Sequence, residues 1–175
     1  RRVQSEGDAR PDRGATVIFL DVGAHEGQTL EEVTKDEYGF EEIFAFEPMP
    51  VQYEILVERF GRDPRVRILN YGLAGETCRL PVYGDNSKLE ASIYATKEDV
   101  DTSVVTDCDF VSASEFFRDY IPTGGTVIVK LNCEGAEVPI LFDLATSGEI
   151  WKATNVMIDF DIRRVAGHQA DEAQV

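Results

Sequence analysis

The 175-residue chain is long enough for one domain with a real core, and its 43% hydrophobic content excludes wholesale disorder. With 17 Lys and Arg against 33 Asp and Glu the net charge is −16, which argues against nucleic acid or an anionic membrane as partner. Basic residues cluster only in the N-terminal tail and in short pairs such as Arg163-Arg164. The acidity itself reads as a solubility feature.

The three cysteines, Cys78, Cys108 and Cys133, are scattered and form neither a disulfide framework nor a zinc motif. That usage fits a reducing, cytoplasmic compartment. No apolar run approaches the roughly 20 residues of a membrane span, and no signal-peptide core is present. Residues 1–14 read as a solvated tail, and 15–175 as a single domain. The first residue is Arg1 rather than Met, which reads as a trimmed start.

From residue 16 strands alternate with helices. "TVIFLDV" (16–22) is a short apolar run of the kind buried on both faces. "GQTLEEVTKDEYGF" (27–40) follows as a helix, with Leu30 and Val33 at helical spacing. "EEIFAFEP" (41–48) is a second strand ended by Pro48. "PVQYEILVERFG" (50–61) is a well-marked helix, with Pro50 near its start, Gly61 as its stop, and Val51, Ile55, Leu56 and Phe60 as its apolar face. "RVRILNYGL" (65–73) is a third strand.

A less regular stretch comes next. "CRLPVYG" (78–84) alternates as an extra strand, "GDNSK" (84–88) is a turn, and "ASIYA" (91–95) and "SVVT" (103–106) are short strand candidates. "SASEFFRDYI" (112–121) has capping-box spacing between Ser112 and Glu115 and reads as a helix. "TGGTVIVKLN" (123–132) is a β-branched strand, "GAEVPILFDLATSG" (135–148) a helix that tolerates Pro139 only near its first turn, and "TNVMIDFD" (154–161) the last strand. The pattern predicts an α/β fold: an open, doubly wound, mainly parallel sheet, whose ligands bind beyond the carboxyl ends of the strands.

Three strand ends carry the chemistry. The first ends at Asp21 and turns through Gly23-Ala24-His25-Glu26-Gly27. Gly23 would let backbone approach a ligand, and Gly27 would let the helix start close to the sheet. The G-x-x-x-G spacing is not the G-x-G-x-x-G of a dinucleotide site, and no Gly-Lys-Ser/Thr of a P-loop is present. Asp21 suits a ligand with an ammonium or sulfonium charge better than a pyrophosphate. The second strand ends at Glu47, 20 residues after Gly27, where an acid in a βαβ unit commonly accepts hydrogen bonds from ribose hydroxyls. Together these describe an adenosine site without a phosphate clamp, which points to S-adenosylmethionine. The third is "VKLNCEGAE" (129–137). Glu134 and Glu137 suit a helix N-terminus on dipole grounds alone. Lys130 interrupts a β-branched strand and calls for a carboxylate partner, most simply Glu134 or Glu137.

"DVGAHEGQTL", "FAFEPMPVQYEIL" and "VKLNCEGAEVPIL" resemble, in order, the three signature blocks of the FkbM-type methyltransferases, a class I S-adenosylmethionine-dependent group. The resemblance implies a Rossmann-like fold and methyl transfer to a hydroxyl of a sugar or secondary metabolite. It matches Asp21, Gly23 and Gly27 to the cofactor loop, Glu47 to the ribose-binding acid, and Lys130, Glu134 and Glu137 to the methyl-transfer side; Ala24, His25 and Asn132 are expected beside the cofactor with them. Two positions depart from the family pattern: His25 stands where Asn is usual, and Asn132 where Asp is usual. The second departure removes a potential base or metal ligand, and no metal is expected. The fold normally adds two further strands, so the chain is expected to be truncated or only partly ordered at its C-terminus.

Methyl transfer needs alignment of acceptor, methyl and sulfur, and an unactivated hydroxyl needs a general base. Glu134, Glu137 and His25 are the candidates. Ser92 is either a substrate contact or an ordinary strand serine, and His168 belongs to the tail. The competing readings are a non-catalytic domain of the same fold, used for binding or assembly, and a nicotinamide-dependent enzyme, which the glycine spacing disfavours.

Overall fold

A computed structural model describes residues 16–84, 91–98 and 100–160. In chain order the elements are β1 (Val17–Val22), α1 (Gln28–Val33), β2 (Glu42–Phe46), α2 (Pro50–Phe60), β3 (Val66–Leu69), β4 (Gly72–Ala74), β5 (Cys78–Tyr83), β6 (Val105–Ser112), α3 (Ala113–Tyr120), β7 (Thr126–Leu131), α4 (Glu137–Ser147) and β8 (Asn155–Ile158). Two short 3-10 turns, Asp36–Tyr38 and Glu149–Lys152, complete them. The N-terminal tail, Arg163-Arg164 and His168 lie outside the described residues.

Among the described residues the main sheet has five strands in the order β3-β2-β1-β7-β8, and every neighbouring pair of them is parallel. Its strands are apolar runs because helices cover both faces. Phe19, Ile43, Ala45 and Val66 pack with Leu30 and Val33 of α1 and Leu56 of α2. The alternate residues Ile18, Leu20, Val22, Phe44, Phe46, Val127, Val129 and Leu131 pack with Phe116 and Phe117 of α3 and Ile140 and Leu144 of α4. This is the expected doubly wound α/β architecture. The chain leaves β1 toward β2 on one side and lies against β7 on the other, so the sheet's switch point falls between β1 and β7.

Several expectations about the elements are corrected. The helix expected over 27–40 stops at Val33, and a 3-10 turn ending at the left-handed Gly39 follows. The strand expected over 65–73 is two strands in different sheets. Asn70, between them, donates its side-chain amide to the Glu47 carbonyl at 3.1 Å and the Pro48 carbonyl at 3.3 Å. The buried side of α2 is Gln52 and Leu56, spaced i,i+4, while Val51 is 46% exposed. The irregular stretch builds a second sheet, β4-β6-β5, with β5 as expected. Its central strand β6 covers residues that read as a strand only at Val105 and Thr106. In "ASIYA" only Ser92 pairs, in an isolated bridge to Tyr83. The Ser112 cap is as expected: its hydroxyl accepts from the Glu115 N–H at 3.2 Å.

Gly27 and Gly39 both have positive φ, +89° and +66°, but differ in surroundings. A Cβ on Gly27 would overlap the Phe60 ring and Leu56 of α2, whereas nothing lies near one on Gly39. Gly27→Ala is therefore expected to lower unfolding stability by about 2–4 kcal/mol, through strain and overpacking together. Gly39→Ala is expected to cost about 1 kcal/mol, from the left-handed backbone alone. Urea titration of both variants measures the difference.

Candidate functional site

The carboxyl ends of β1, β2 and β7 converge on one cavity of about 780 Å³, open mouth included. Val22, Gly23 and His25 line it from the β1 turn, Glu47, Pro48, Met49 and Gln52 from β2 and α2, and Asn132, Cys133 and Glu134 from the turn after β7. The small sheet closes it with Leu73, Val82 and Phe110, and residues 91–93 add a further wall. The mostly apolar lining with a few polar groups suits a small organic ligand.

At the switch point the parallel register sets Asp21 opposite Lys130. Both belong to the side-chain set facing α1 and α2, and the Lys130 ammonium donates to Asp21 Oδ1 at 2.8 Å. The Asp21 side chain is 0% exposed and that of Lys130 24%. Burial pushes the Asp21 carboxyl above its ordinary range, and Lys130 pulls it back. Asp21 Oδ2 is buried with no hydrogen-bond partner. Two expectations change here. The cation expected beside Asp21 comes from the protein, and Lys130 takes Asp21 rather than Glu134 or Glu137. Strand register decides both.

The β1 turn is bound to the end of β2. The N–H groups of Gly23 and Ala24 donate to the Phe46 carbonyl at 3.1 and 3.0 Å. Ala24 is buried and lies against the core under α1. A Cβ on Gly23 would overlap the Asn132 carbonyl, so this glycine allows the β1 and β7 turns to touch. His25 takes the left-handed conformation, φ 49°, and its N–H donates to Glu47 Oε2 at 2.8 Å. Glu47 Oε1 accepts from the Met49 N–H at 2.9 Å. Each carboxylate oxygen thus keeps a lone pair for another donor. Burial raises the Glu47 carboxyl to about 7, against the pull of the Met49 and His25 N–H groups. Burial also lowers the His25 pKa, so its ring is neutral near pH 7. Its Nδ1 lies 3.5 Å from the Gln28 amide nitrogen, and its Nε2 is buried without a hydrogen-bond partner.

The two acids after β7 have separate fates. Glu137 is fully buried, and its carboxylate accepts from the N–H groups of Cys133, at 3.0 Å, and Gly135, at 3.0 and 3.2 Å. It closes the turn at the head of α4. Glu134 lines the cavity in a left-handed conformation, φ 58°, and its carboxylate pairs with Lys97. Lys97, Gln52 and Met49 escaped sequence reasoning. Gln52 had a signal, its i,i+4 spacing to Leu56. Lys97 had none, since it sits in the polar, aperiodic "ATKEDV". Ser92 is buried beside the cavity and donates to the Glu134 carbonyl at 2.6 Å.

Removing Lys130 would leave the buried Asp21 carboxylate unpaired. Lys130→Met is expected to cost about 3–5 kcal/mol of stability, and Asp21→Leu combined with it to recover most of that loss. Urea unfolding of wild type, single and double variants reads the recovery.

Among the described residues no group of three His, Cys, Asp or Glu side chains is arranged to hold a metal ion, and no helix is long and apolar enough to cross a membrane. No protein-family model matches the sequence, and no curated protein matches it. A solved structure does: methyltransferase FkbM from Methylobacillus flagellatus KT, with a TM-score of 0.56 and 17% sequence identity over 91% of this chain. The match spans 36% of that longer chain. Identity this low shows the fold alone, and the chain has a Rossmann-like, methyltransferase-like α/β fold.

Proposed function

We propose that the chain is an S-adenosylmethionine-dependent methyltransferase domain that acts on a hydroxyl of a small acceptor, a sugar or secondary metabolite, in the cytoplasm. Glu47 carries the reading. It ends β2 inside the cavity, is oriented by two backbone N–H groups, and retains a lone pair on each oxygen. Two adjacent ribose hydroxyls would use that arrangement. No lysine is among the described residues lining the cavity, the sequence has no P-loop motif, and Met49, Leu73 and Phe110 give an adenine ring an apolar bed. The tight β1 turn through Gly23 and Ala24, with Asn132 facing it, suits the amino-acid end of the same molecule.

The cofactor supplies a methyl group already activated on a sulfonium. The chain's residues then have to orient an acceptor and take its proton. Of the three candidate bases, His25 fits best. The Glu137 carboxylate is bound to two backbone N–H groups, and the Glu134 carboxylate to Lys97. The His25 ring is neutral near pH 7, lines the cavity and has Nε2 free of hydrogen bonds to the protein. In this reading His25 receives the acceptor proton at Nε2 in the tautomer that carries its own proton on Nδ1, with the Gln28 side chain turned to accept from Nδ1 through its amide oxygen. Glu134 lines the wall, and Glu137 and Lys130 hold the turn and the strand behind it. The engaged carboxylates equally suit a non-catalytic binding domain. Transfer of radiolabelled methyl to any member of a panel of hydroxylated sugars and metabolites would dismiss that second reading.

Binding of S-adenosylhomocysteine, measured by calorimetry on folded protein, tests the proposal, and no binding would sink it. Ribose hydroxyls donate to the ionised form of Glu47, so binding should tighten as pH rises. With the pKa at about 7, affinity at pH 8 is expected to exceed that at pH 6 on the order of tenfold. Glu47→Gln is expected to weaken binding and flatten the profile. The same shift has a fixed sign for stability. The Glu47 carboxyl titrates higher in the fold than its ordinary 4.5, so its contribution is fully present below that value and is lost as pH rises through about 7.

A further inference from the structure

The segment 91–98, between β5 and β6, grips one residue of the cavity in two places. Ser92 is anchored first, its N–H and C=O exchanged with those of Tyr83 at 2.8 Å each. Its hydroxyl accepts from the Tyr94 N–H at 3.2 Å and donates to the Glu134 carbonyl at 2.6 Å. Lys97 pairs with the Glu134 carboxylate, and the two side chains are 0% and 24% exposed. Tyr94 presses on the same turn: a Cβ on Gly135 would lie 2.8 Å from its ring. Glu134 itself is in the left-handed region, where a non-glycine residue persists only if its surroundings hold it. Ala91, Ser92, Ile93 and Glu134 all line the cavity.

We propose that Lys97 and Ser92 are positioning residues of the site: by holding the carboxylate and the carbonyl of Glu134, they fix the turn after β7 as the wall that meets the sulfur-bearing end of the cofactor. The proposal rests on the cofactor reading above. Glu47 and Glu134 lie on either side of β1, since the sheet order there is β2-β1-β7. On that reading the ribose sits at Glu47 and the part of the ligand beyond the ribose runs across β1 toward Glu134.

Two probes separate these ends. Adenosine carries only the ribose end, and S-adenosylhomocysteine carries both. Binding of each is measured by calorimetry or ligand-detected NMR on wild type and variants whose thermal unfolding shows them folded. Lys97→Met is expected to weaken S-adenosylhomocysteine roughly tenfold while changing adenosine less than about twofold. Lys97→Arg, which keeps the cation, is expected to restore most of the loss. Glu134→Gln added to Lys97→Met should weaken binding no further, because the two residues act as one unit. If Lys97→Met does not fold, Ser92→Ala, which removes only the hydroxyl on the Glu134 carbonyl, is expected to show the same selective loss on a smaller scale. Equal weakening of both probes, or unchanged S-adenosylhomocysteine binding, overturns the proposal while leaving the cofactor reading intact. Failure of wild type to bind either probe overturns the cofactor reading, and the proposal with it.

Discussion

A buried carboxylate paired with a lysine across two parallel strands sets the rest of the molecule. Asp21 and Lys130 face each other where the sheet switches direction, and neither tolerates the interior without the other. A one-residue slip between β1 and β7 would separate them and turn either Asp21 or Lys130 to the face that α3 and α4 cover. The ion pair therefore adds a polar condition to the register that the apolar runs already favour. The turns after β1 and β7 emerge beside each other as a result, and Gly23 lets them touch at the Asn132 carbonyl.

From that junction the cavity follows by main-chain chemistry. The β1 turn binds the Phe46 carbonyl, and the left-handed His25 points its N–H at Glu47. Asn70 and the Leu69 carbonyl hold the same end of β2 from the β3 side. Glu47 is thereby kept in a buried place where its carboxyl titrates near neutrality. Binding and protonation are coupled there. The small sheet then supplies apolar walls that the main sheet lacks, and the segment carrying Ser92 and Lys97 joins that sheet to the turn after β7.

The opening glycine turn and its two acids were legible because their signals are local: an apolar run ending in an acid, glycines that free φ, an acid closing the next strand. The roles were less legible. Asp21 read as a partner for a cationic ligand, yet its cation is Lys130. Gly23 read as a ligand approach, yet it makes room for a carbonyl. Glu134 and Glu137 read alike, yet one faces the cavity and the other ties the backbone of Cys133 and Gly135. Each of these depends on what lies opposite, and a single strand carries no record of that.

By itself the sequence determined the strand–helix alternation, the two-faced burial of β1, the capped start of α3 and the set of residues gathered at the strand ends. Periodicity and capping act within a few residues, so they are written locally. Only the tertiary structure decided the splitting of 65–73 between two sheets, the central strand β6, the pairing of Asp21 with Lys130 and the grip of Lys97 on Glu134. The two ion pairs join residues 37 and 109 positions apart, the strand pairings also join separate segments, and such contacts form only when packing and register bring distant segments together.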